Sequence, residues 1–541
     1  MIVSGDVWAE SLSFFWENME TDFQVRKAWE SLFALFFQSQ GRSEPSQKFL
    51  QEADRLIQTI GTNSYAKTLQ SWLETVAAAP WRVLFYEDSY QIERYRLLLL
   101  QSQNEIIFKK VIWTVLSVPD SKNIFQLLIE IIQKSYTPYQ GLVAENPILG
   151  KTALLVLGRK GRKGAKFLIA LKSFSRRKDF QQTVEKALLQ AAAIENTSPA
   201  LLEETLLPTY NMKEGERQIR LDTYIADLRL EDEGKVQLTW YNAQGKALKT
   251  APTALKKRFP AKIEAIQKLF KTIDQTAKGQ KKYLESLFLT SRRFPFSHWK
   301  SYFLEHPLRS TLVSKLIWNI HFQDEEKERV QTGFWLFSHF VDAFRQPLEL
   351  PFSLSEINFE LEDSTQGGAK NIEISLWTPA QVYENWAKVS QETSPEKIIE
   401  DWQDFLQKKQ IRQPFLQAFR PLYFAKEIDW HWLFNQKLKQ NQLRAVALQQ
   451  DWHYKMLRPY RKNRLPMRKK FIYQHQGCEK REITLEIWLY LIFEQQPTWV
   501  GINQILIYDK IQVLSPESLP LSVFSEMMRQ VLLLVKVAKE E

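Results

Sequence analysis

Over the first third of the chain apolar side chains recur at helical spacing. Ala53, Leu56, Ile57 and Ile60 precede Gly61, which is placed to end a helix, and Leu69, Trp72, Leu73 and Val76 share one face of the next. This pattern predicts an all-helical region over residues 1–149. From 150 to 210 the periodicity comes in shorter units: Phe167, Leu168, Leu171 and Phe174 on one face, then Val184, Leu188, Ala191 and Ile194 on another. Ser198-Pro199 supplies the N-cap and first-turn proline of a third helix. Consecutive short hairpins predict a HEAT-like, solenoid-like stack, although the sequence carries no strict repeat.

Beyond Pro208 the pattern turns to alternation. Leu228 and Leu230, then Val236, Leu238 and Trp240, flank a Gly-containing turn and predict a β-hairpin. An amphipathic helix follows (Ile263, Ile266, Leu269, Phe270, Ile273), then alternating strands at Ile357-Phe359-Leu361 and Ile372-Ile374-Leu376. Thr378-Pro379 and Ser394-Pro395 open two helices. The last stretch reads as a strand from Ile483 to Leu491, a hairpin around Tyr508-Asp509-Lys510, a short helix from Phe524 to Met528 and a final strand from Val531 to Val537. The expected fold class is α+β: a helical half, then a mixed α+β domain with a mixed sheet over residues 211–541.

Composition fits such a molecule: 541 residues with 44% hydrophobic and 13% aromatic side chains can build more than one core. The single cysteine, Cys478, excludes a disulfide framework and a Cys-based zinc cluster, as expected in a reducing cytoplasm. Seven scattered histidines form no H-E-x-x-H pattern, so neither a metal nor a cofactor is expected. "MIVSGDVWAESLSFF" has no charged leader before an apolar core, and runs such as "ALLVL" fall far short of the roughly 20 residues of a membrane span. Cytoplasmic location and no membrane partner are the expectations. The net charge of +11 favours anionic partners.

Two segments concentrate cations. "LGRKGRKGAKF" places Arg159, Lys160, Arg162, Lys163 and Lys166 on a glycine-punctuated loop. It is not a Walker phosphate loop, because five residues separate Gly158 from Gly164 and Ala165 stands where a hydroxyl would hold Mg²⁺. A solvated hairpin tip and a phosphate or acidic-partner site both fit it. The second segment, Trp452 to His475, carries Lys455, Arg458, Arg461, Lys462, Arg464, Arg468, Lys469 and Lys470 without an acid. Trp452, Tyr454, Tyr460, Phe471 and Tyr473 interleave with these charges. That combination can hold a phosphate backbone and stack bases; equally, it can join two elements with its aromatics turned into a core.

In "IRQPFLQAFRPLY", two prolines forbid a continuous helix and set Arg412, Gln413, Gln417 and Arg420 on an extended strap, fit either to line a cleft or to pack. No nucleophile–base–orienter trio is legible, G-x-S-x-G is absent, and His306 before Pro307 reads as structural.

From about Ala187 onward the chain resembles the bacterial "domain of unknown function 4132" family, MolR-like proteins that often carry a WGR module. The resemblance lies in "KALLQAAAIENTSPALLEETLLP", "DLRLEDEGKVQLTWYNAQGKALKTAPTALKK", "KKYLESLFLTSRRF", "LEHPLRSTLVSKLIW", "IRQPFLQAFRP" and "LPLSVFSEMMRQVLLLV", in that order. It implies a shared cleft whose matching positions are Gln413, Gln417, Arg420, Glu526 and Arg529. This chain departs from the pattern where Thr378 precedes Pro379 in place of a histidine, where Gln530 follows Arg529 in place of an acid, and in lacking a Trp-Gly-Arg signature.

The function expected is that of a non-enzymatic regulatory or adaptor protein binding an anionic partner, single-stranded nucleic acid or an acidic protein. Two alternatives stand beside it. One is an enzyme acting on a phosphorylated or nucleotide substrate through Gln413, Arg420, Glu526 and Arg529; the other is a helical-repeat scaffold.

Overall fold

The structure, a computed structural model, describes the chain apart from residues 1, 20–21, 39–43, 88–92, 173, 325–326, 351–371, 387–392, 455–463, 475–480, 493–498 and 539–541. It divides into two units, Met1–Pro208 and Thr209–Glu541.

The first unit comprises α1 (Val7–Glu17), α2 (Phe23–Gln38), α3 (Gln47–Ile60), α4 (Thr62–Ala78), β1 (Arg82–Glu87), β2 (Glu93–Leu98) and α5 (Ser102–Trp113), then α6 (Lys122–Tyr136), α7 (Ile148–Arg159), α8 (Gly161–Leu171), α9 (Lys178–Ile194) and α10 (Pro199–Thr205). α3 shows why these residues are helical. Ser46 Oγ accepts from Phe49 N at 3.2 Å, Phe49, Ala53, Leu56, Ile57 and Ile60 fall on one buried face, and Gly61 ends the helix at φ +93°. An all-helical reading of residues 1–149 is corrected by the antiparallel hairpin β1–β2, which pairs Arg82 with Leu98 and Tyr86 with Arg94. Its alternation is short and enclosed by helical sequence on both sides.

An aromatic cluster fills the core of the first helices. Trp8 meets Phe108 edge-on at 5.0 Å, Phe15 meets Trp29 at 4.8 Å, and Trp29 meets Trp72 at 5.8 Å. Asp6 anchors this cluster at the chain start: Oδ1 accepts from Ala9 N at 2.9 Å, and Oδ2 from Gln101 N and Asn104 Nδ2 at 2.8 Å each. The neighbouring Glu105 accepts from Leu99 N at 2.8 Å, and burial pushes its carboxyl up to about 7.

Since the folded value lies above the ordinary one, the stabilisation from neutral Glu105 is present below about pH 4.3 and lost as pH rises through about 7. Glu105→Gln is expected to gain on wild type by on the order of 3 kcal/mol between about pH 5 and about pH 8. Chemical denaturation of the full chain at both pH values checks this, and parallel pH profiles for the two proteins contradict it.

The second unit opens with β3 (Glu216–Leu221), β4 (Tyr224–Leu230), β5 (Val236–Tyr241) and β6 (Ala247–Leu248), an antiparallel meander with α11 (Thr253–Arg258) and α12 (Pro260–Ser286). Leu221, Ala226, Trp240, Leu255, Ile263 and Ile266 form its core. Next come β7 (Arg293–Pro295), α13 (Phe296–Trp299), α14 (Ser310–Val313), β8 (Ile317–Asp324), β9 (Lys327–Leu336), β10 (His339–Val341) and β11 (Glu373–Leu376). The five strands form a sheet in the order β10-β9-β8-β11-β7. α15 (Pro379–Trp386) and α16 (Pro395–Lys408) follow at the two expected proline starts, with Ser394 capping the second.

The chain then forms α17 (Trp430–Phe434), β12 (Lys437–Lys439), α18 (Gln440–Gln449), β13 (Arg464–Tyr473), β14 (Arg481–Ile492), β15 (Trp499–Asp509), β16 (Gln512–Val513) and α19 (Leu521–Ala538). Their sheet runs β12-β15-β14-β13, with β16 beside β15. One face of it meets α18 and α19 in a core that includes Leu443, Ile487, Leu489, Val531 and Leu534.

Two readings are corrected here. All pairs of named strands are antiparallel, so the expected mixed sheet is replaced by separate antiparallel ones. The final strand over Val531–Val537 is the second half of α19: Val523, Phe524, Met527, Met528, Val531, Leu534 and Val535 keep one helical face buried, and that period overrides the β-propensity of the valines. The glycine-punctuated loop at Leu157 is a helix-to-helix turn. Gly161 takes φ +58° at the start of α8, and a Cβ at Gly164 would strike the carbonyl of Leu157. The strand expected at Ile357-Phe359-Leu361 lies outside the described residues. Among the described residues no helix is long and apolar enough to cross a membrane.

Candidate functional site

Of the five cleft residues, Arg420, Glu526 and Arg529 meet. Arg420, on the strap between α16 and α17, donates Nε and Nη2 to Glu526 Oε2 at 2.9 and 2.6 Å, and Nη1 to Glu285 Oε1 at 2.9 Å. Arg529, one turn beyond Glu526 on α19, donates to Glu526 Oε1 through Nε at 3.0 Å and Nη2 at 2.5 Å, and stands 3.5 Å from Glu285. Two carboxylates and two guanidinium groups from α12, the strap and α19 thus close one ring. Gln530 Nε2 donates to Glu526 Oε1 at 3.3 Å, while its Oε1 accepts from Lys469 Nζ at 2.8 Å. The Phe288 ring lies 4.1 Å from the Arg420 guanidinium.

Burial alone would raise the Glu526 carboxyl, yet the adjacent Arg529 and Arg420 hold it below the usual carboxylate range. Burial pushes Lys469 down to about 8. A small, shallow depression, partly open to solvent, adjoins the ring and is lined by Phe288, Thr378, Arg420, Leu422, Ser525 and Glu526 among others. Thr378 occupies the position where the family resemblance expects histidine, and it caps α15 by accepting from Gln381 N at 3.3 Å. Ser525 Oγ accepts from Tyr423 N at 3.0 Å. Each of these polar groups already has a partner, so the depression presents matched charge.

Gln413 does not join the ring. It donates to Gln417 Oε1 at 2.8 Å and to Lys315 O at 3.2 Å, and accepts from Ala418 N at 3.1 Å. Gln417 in turn bonds both Ile317 N and Ile317 O, extending the ladder of β8 with a side chain. These glutamines hold the strap on the sheet. A nucleophile–base contact lies elsewhere, where His321 Nε2 and Ser375 Oγ are 2.7 Å apart and Glu328 stands 3.6 Å from Nδ1. Burial, with Arg293 nearby, pushes His321 down to about 4, and both His321 and Ser375 are buried between β8 and β11. Among the described residues no group of His, Cys, Asp and Glu is placed to hold a metal ion.

The basic segments are largely matched from within. Arg159 pairs with Glu44 at 3.1 Å, and Lys160 and Lys163 with Asp120 at 3.0 and 2.7 Å. Arg162 and Lys166 lie exposed on α8. The glycines serve close packing, since Gly158 abuts the Ala187 backbone of α9. In the second segment Lys469 is turned inward, Arg468 pairs with Glu486, and Lys470 with Glu482 at 2.7 Å. Trp452, Phe471 and Tyr473 are buried in the core, which removes them as a stacking surface. Lys455, Arg458, Arg461 and Lys462 lie outside the described residues, as does the Arg464 side chain.

A larger basic surface went unread. From Lys246 to Lys282 the chain carries eleven Lys and Arg against two acids, Glu264 and Asp274, a net +9 beside +11 for the whole protein. α12 buries Ile263, Ile266, Ile273, Ala277 and Leu284, and the opposite face exposes Lys268, Lys271, Lys278 and Lys282. These four span about 21 Å of helix. Lys278 pairs with Asp274 at 2.5 Å and Lys282 with Asp451 at 3.4 Å. The ammonium groups of Lys246, Lys249, Lys256, Lys257 and Lys271 have no partner among the described residues. The signal was available as a local charge count, hidden because the cations are spaced by helical apolar positions instead of standing in a run.

Residues 245–452 match the family model described as "Domain of unknown function (DUF4132)". The match supports the family resemblance over that segment, which includes α11, α12 and Arg420, while Glu526 and Arg529 lie beyond it. No curated protein and no solved structure matches the chain.

Removing the central carboxylate of the ring leaves the buried Arg420 and the half-buried Arg529 sharing Glu285 alone. Glu526→Ala is therefore expected to cost about 3 to 5 kcal/mol and to lower the melting temperature by several degrees. A variant that melts like wild type would show that the ring is not structural.

Proposed function

We propose that this is a non-enzymatic regulatory or adaptor protein that binds nucleic acid as its anionic partner, along α11 and α12 of the second unit. The supporting observation is the stretch Lys246–Lys282, which carries nine net positive charges across the approach to α11, α11 and α12, with Lys268, Lys271, Lys278 and Lys282 exposed opposite the buried face of α12. Neighbouring like charges at i, i+3 and i, i+4 weaken an isolated helix by about 0.2 to 0.5 kcal/mol per pair, so a lysine stripe serves an external anion better than it serves folding. The Arg420–Glu526 ring supports the non-enzymatic reading, because its acids and bases neutralise each other. The MolR-like resemblance agrees with a regulatory role, and a cytoplasmic site of action belongs to the same proposal.

Binding should weaken steeply with salt. Each single-strand phosphate neutralised contributes about 0.7 to the slope of log K against log salt. Changing Lys249, Lys256, Lys257 and Lys271 together to Ala should flatten that slope by up to about 3 units. Titration of a labelled oligonucleotide across a salt series measures it, and an unchanged slope removes α11 and α12 from the interface.

A further inference from the structure

The sheet formed by β12, β15, β14 and β13 has a second face. Along β14, Ile483, Leu485, Ile487, Leu489 and Leu491 point into the core beside α18 and α19, so the alternate positions Thr484, Glu486, Trp488 and Tyr490 point to the other side. Trp488 stands opposite Gln504 and Tyr490 opposite Gly501 on β15. A Cβ at Gly501 would strike the Tyr490 ring, so only glycine lets that ring lie flat across the neighbouring strand. Tyr508, opposite Thr484, adds a third ring to the face. Trp488, Tyr490 and Tyr508 are half-buried, and none packs in the α18–α19 core.

Two charge pairs lie on this face, and Lys437 and Lys439 of β12 stand opposite Gly501 and Trp499. Arg468 pairs with Glu486, and Lys470 with Glu482. Beside them lies an aromatic platform suited to uncharged π surfaces, while ammonium groups without a partner among the described residues stand at Lys246, Lys249, Lys256, Lys257 and Lys271. The two are linked through the chain: Lys282, last of the lysine stripe, pairs with Asp451, and two residues on His453 exchanges both backbone hydrogen bonds with Arg468 of β13, at 2.8 and 3.0 Å.

We propose that the partner is a single strand of nucleic acid, its phosphates on the α12 lysines and its bases stacked on Trp488, Tyr490 and Tyr508. This rests on the nucleic-acid reading above and adds strandedness and the stacking residues. A duplex buries its bases against each other and offers this platform nothing to stack, whereas every unpaired base has a π face. Extended backbone sets Trp488 and Tyr490 about 7 Å apart, room for a base on each.

The test compares the full chain with W488A/Y490A, W488F/Y490F and the four-lysine variant, using labelled oligothymidylate and a duplex of equal length. W488A/Y490A should lose tenfold or more of its single-strand affinity with an unchanged salt slope, W488F/Y490F should keep most of it, and duplex binding should be weaker throughout. Ultraviolet crosslinking of oligothymidylate to the unmodified protein, read by peptide mapping, should mark the β14 segment and needs no variant to fold. Wild-type affinity in W488A/Y490A together with no adduct on β14 overturns the platform. If the lysine variant has meanwhile lost binding, the nucleic-acid reading stands without it; if the lysine variant also binds normally, the reading itself fails. Equal or tighter binding of the duplex overturns the single-strand assignment.

Discussion

The second unit depends on how it accommodates the Glu526 carboxylate. That group is nine-tenths buried, and an ion so placed is tolerable only when its partners are as well fixed as it is. Arg420 and Arg529 meet this condition because each comes from a different stretch of chain and each is held by a second contact, Arg420 by Glu285 and Phe288, Arg529 by Glu285. The ring therefore fixes α12, the strap and α19 to one another. It does this with a definite geometry that apolar packing alone would not specify, and it leaves no acid or base unmatched for chemistry. A depression beside charged groups is the usual mark of an active site. In this unit the same groups tie three elements together.

Buried and exposed charge consequently play different parts. Inside, cations are matched: Lys469 against Gln530 and Gln450, and Arg309 against Gln280 and Tyr302. At the surface of the first unit, Asp120 and Glu44 take up most of the cations of the α7–α8 turn. Most of the excess that gives the protein its net charge lies between Lys246 and Lys282, where α12 has already satisfied its core with Ile263, Ile266, Ile273 and Leu284. A helix whose apolar stripe is complete is free to devote the opposite face to a partner, and lysines spaced along about 21 Å present a line of charge to a polyanion.

The sequence was most informative where one rule acted alone. Ser394-Pro395 and Ser198-Pro199 marked helix starts, Gly61 a helix end, and the alternation around Glu231–Gly234 a hairpin, because caps and turns are decided within a few residues. It misled where two rules competed. Val531 to Val537 has the composition of a strand, but its burial follows the period of a helix that began ten residues earlier. Among the site residues, Arg420, Glu526 and Arg529 could be grouped through the family resemblance, whereas Glu285 could not, since it carries no local signal and joins them only through the docking of α12. The rings of Trp452, Phe471 and Tyr473 illustrate the converse: interleaving with cations on a strand says that two faces differ, and which face is wet depends on the helices that cover the other.

The central claim, that matched charge builds the protein and unmatched charge binds its partner, can be read lysine by lysine. Acetylation of the full chain with a limiting acylating reagent, with and without oligothymidylate, followed by peptide mapping, gives the protection of each ammonium group. The account predicts that oligothymidylate protects Lys249, Lys256, Lys257 and Lys271 while the reactivity of Lys160 and Lys163 stays the same. Protection confined to Lys160, Lys163 and Lys166, with α11 and α12 unaffected, would contradict it.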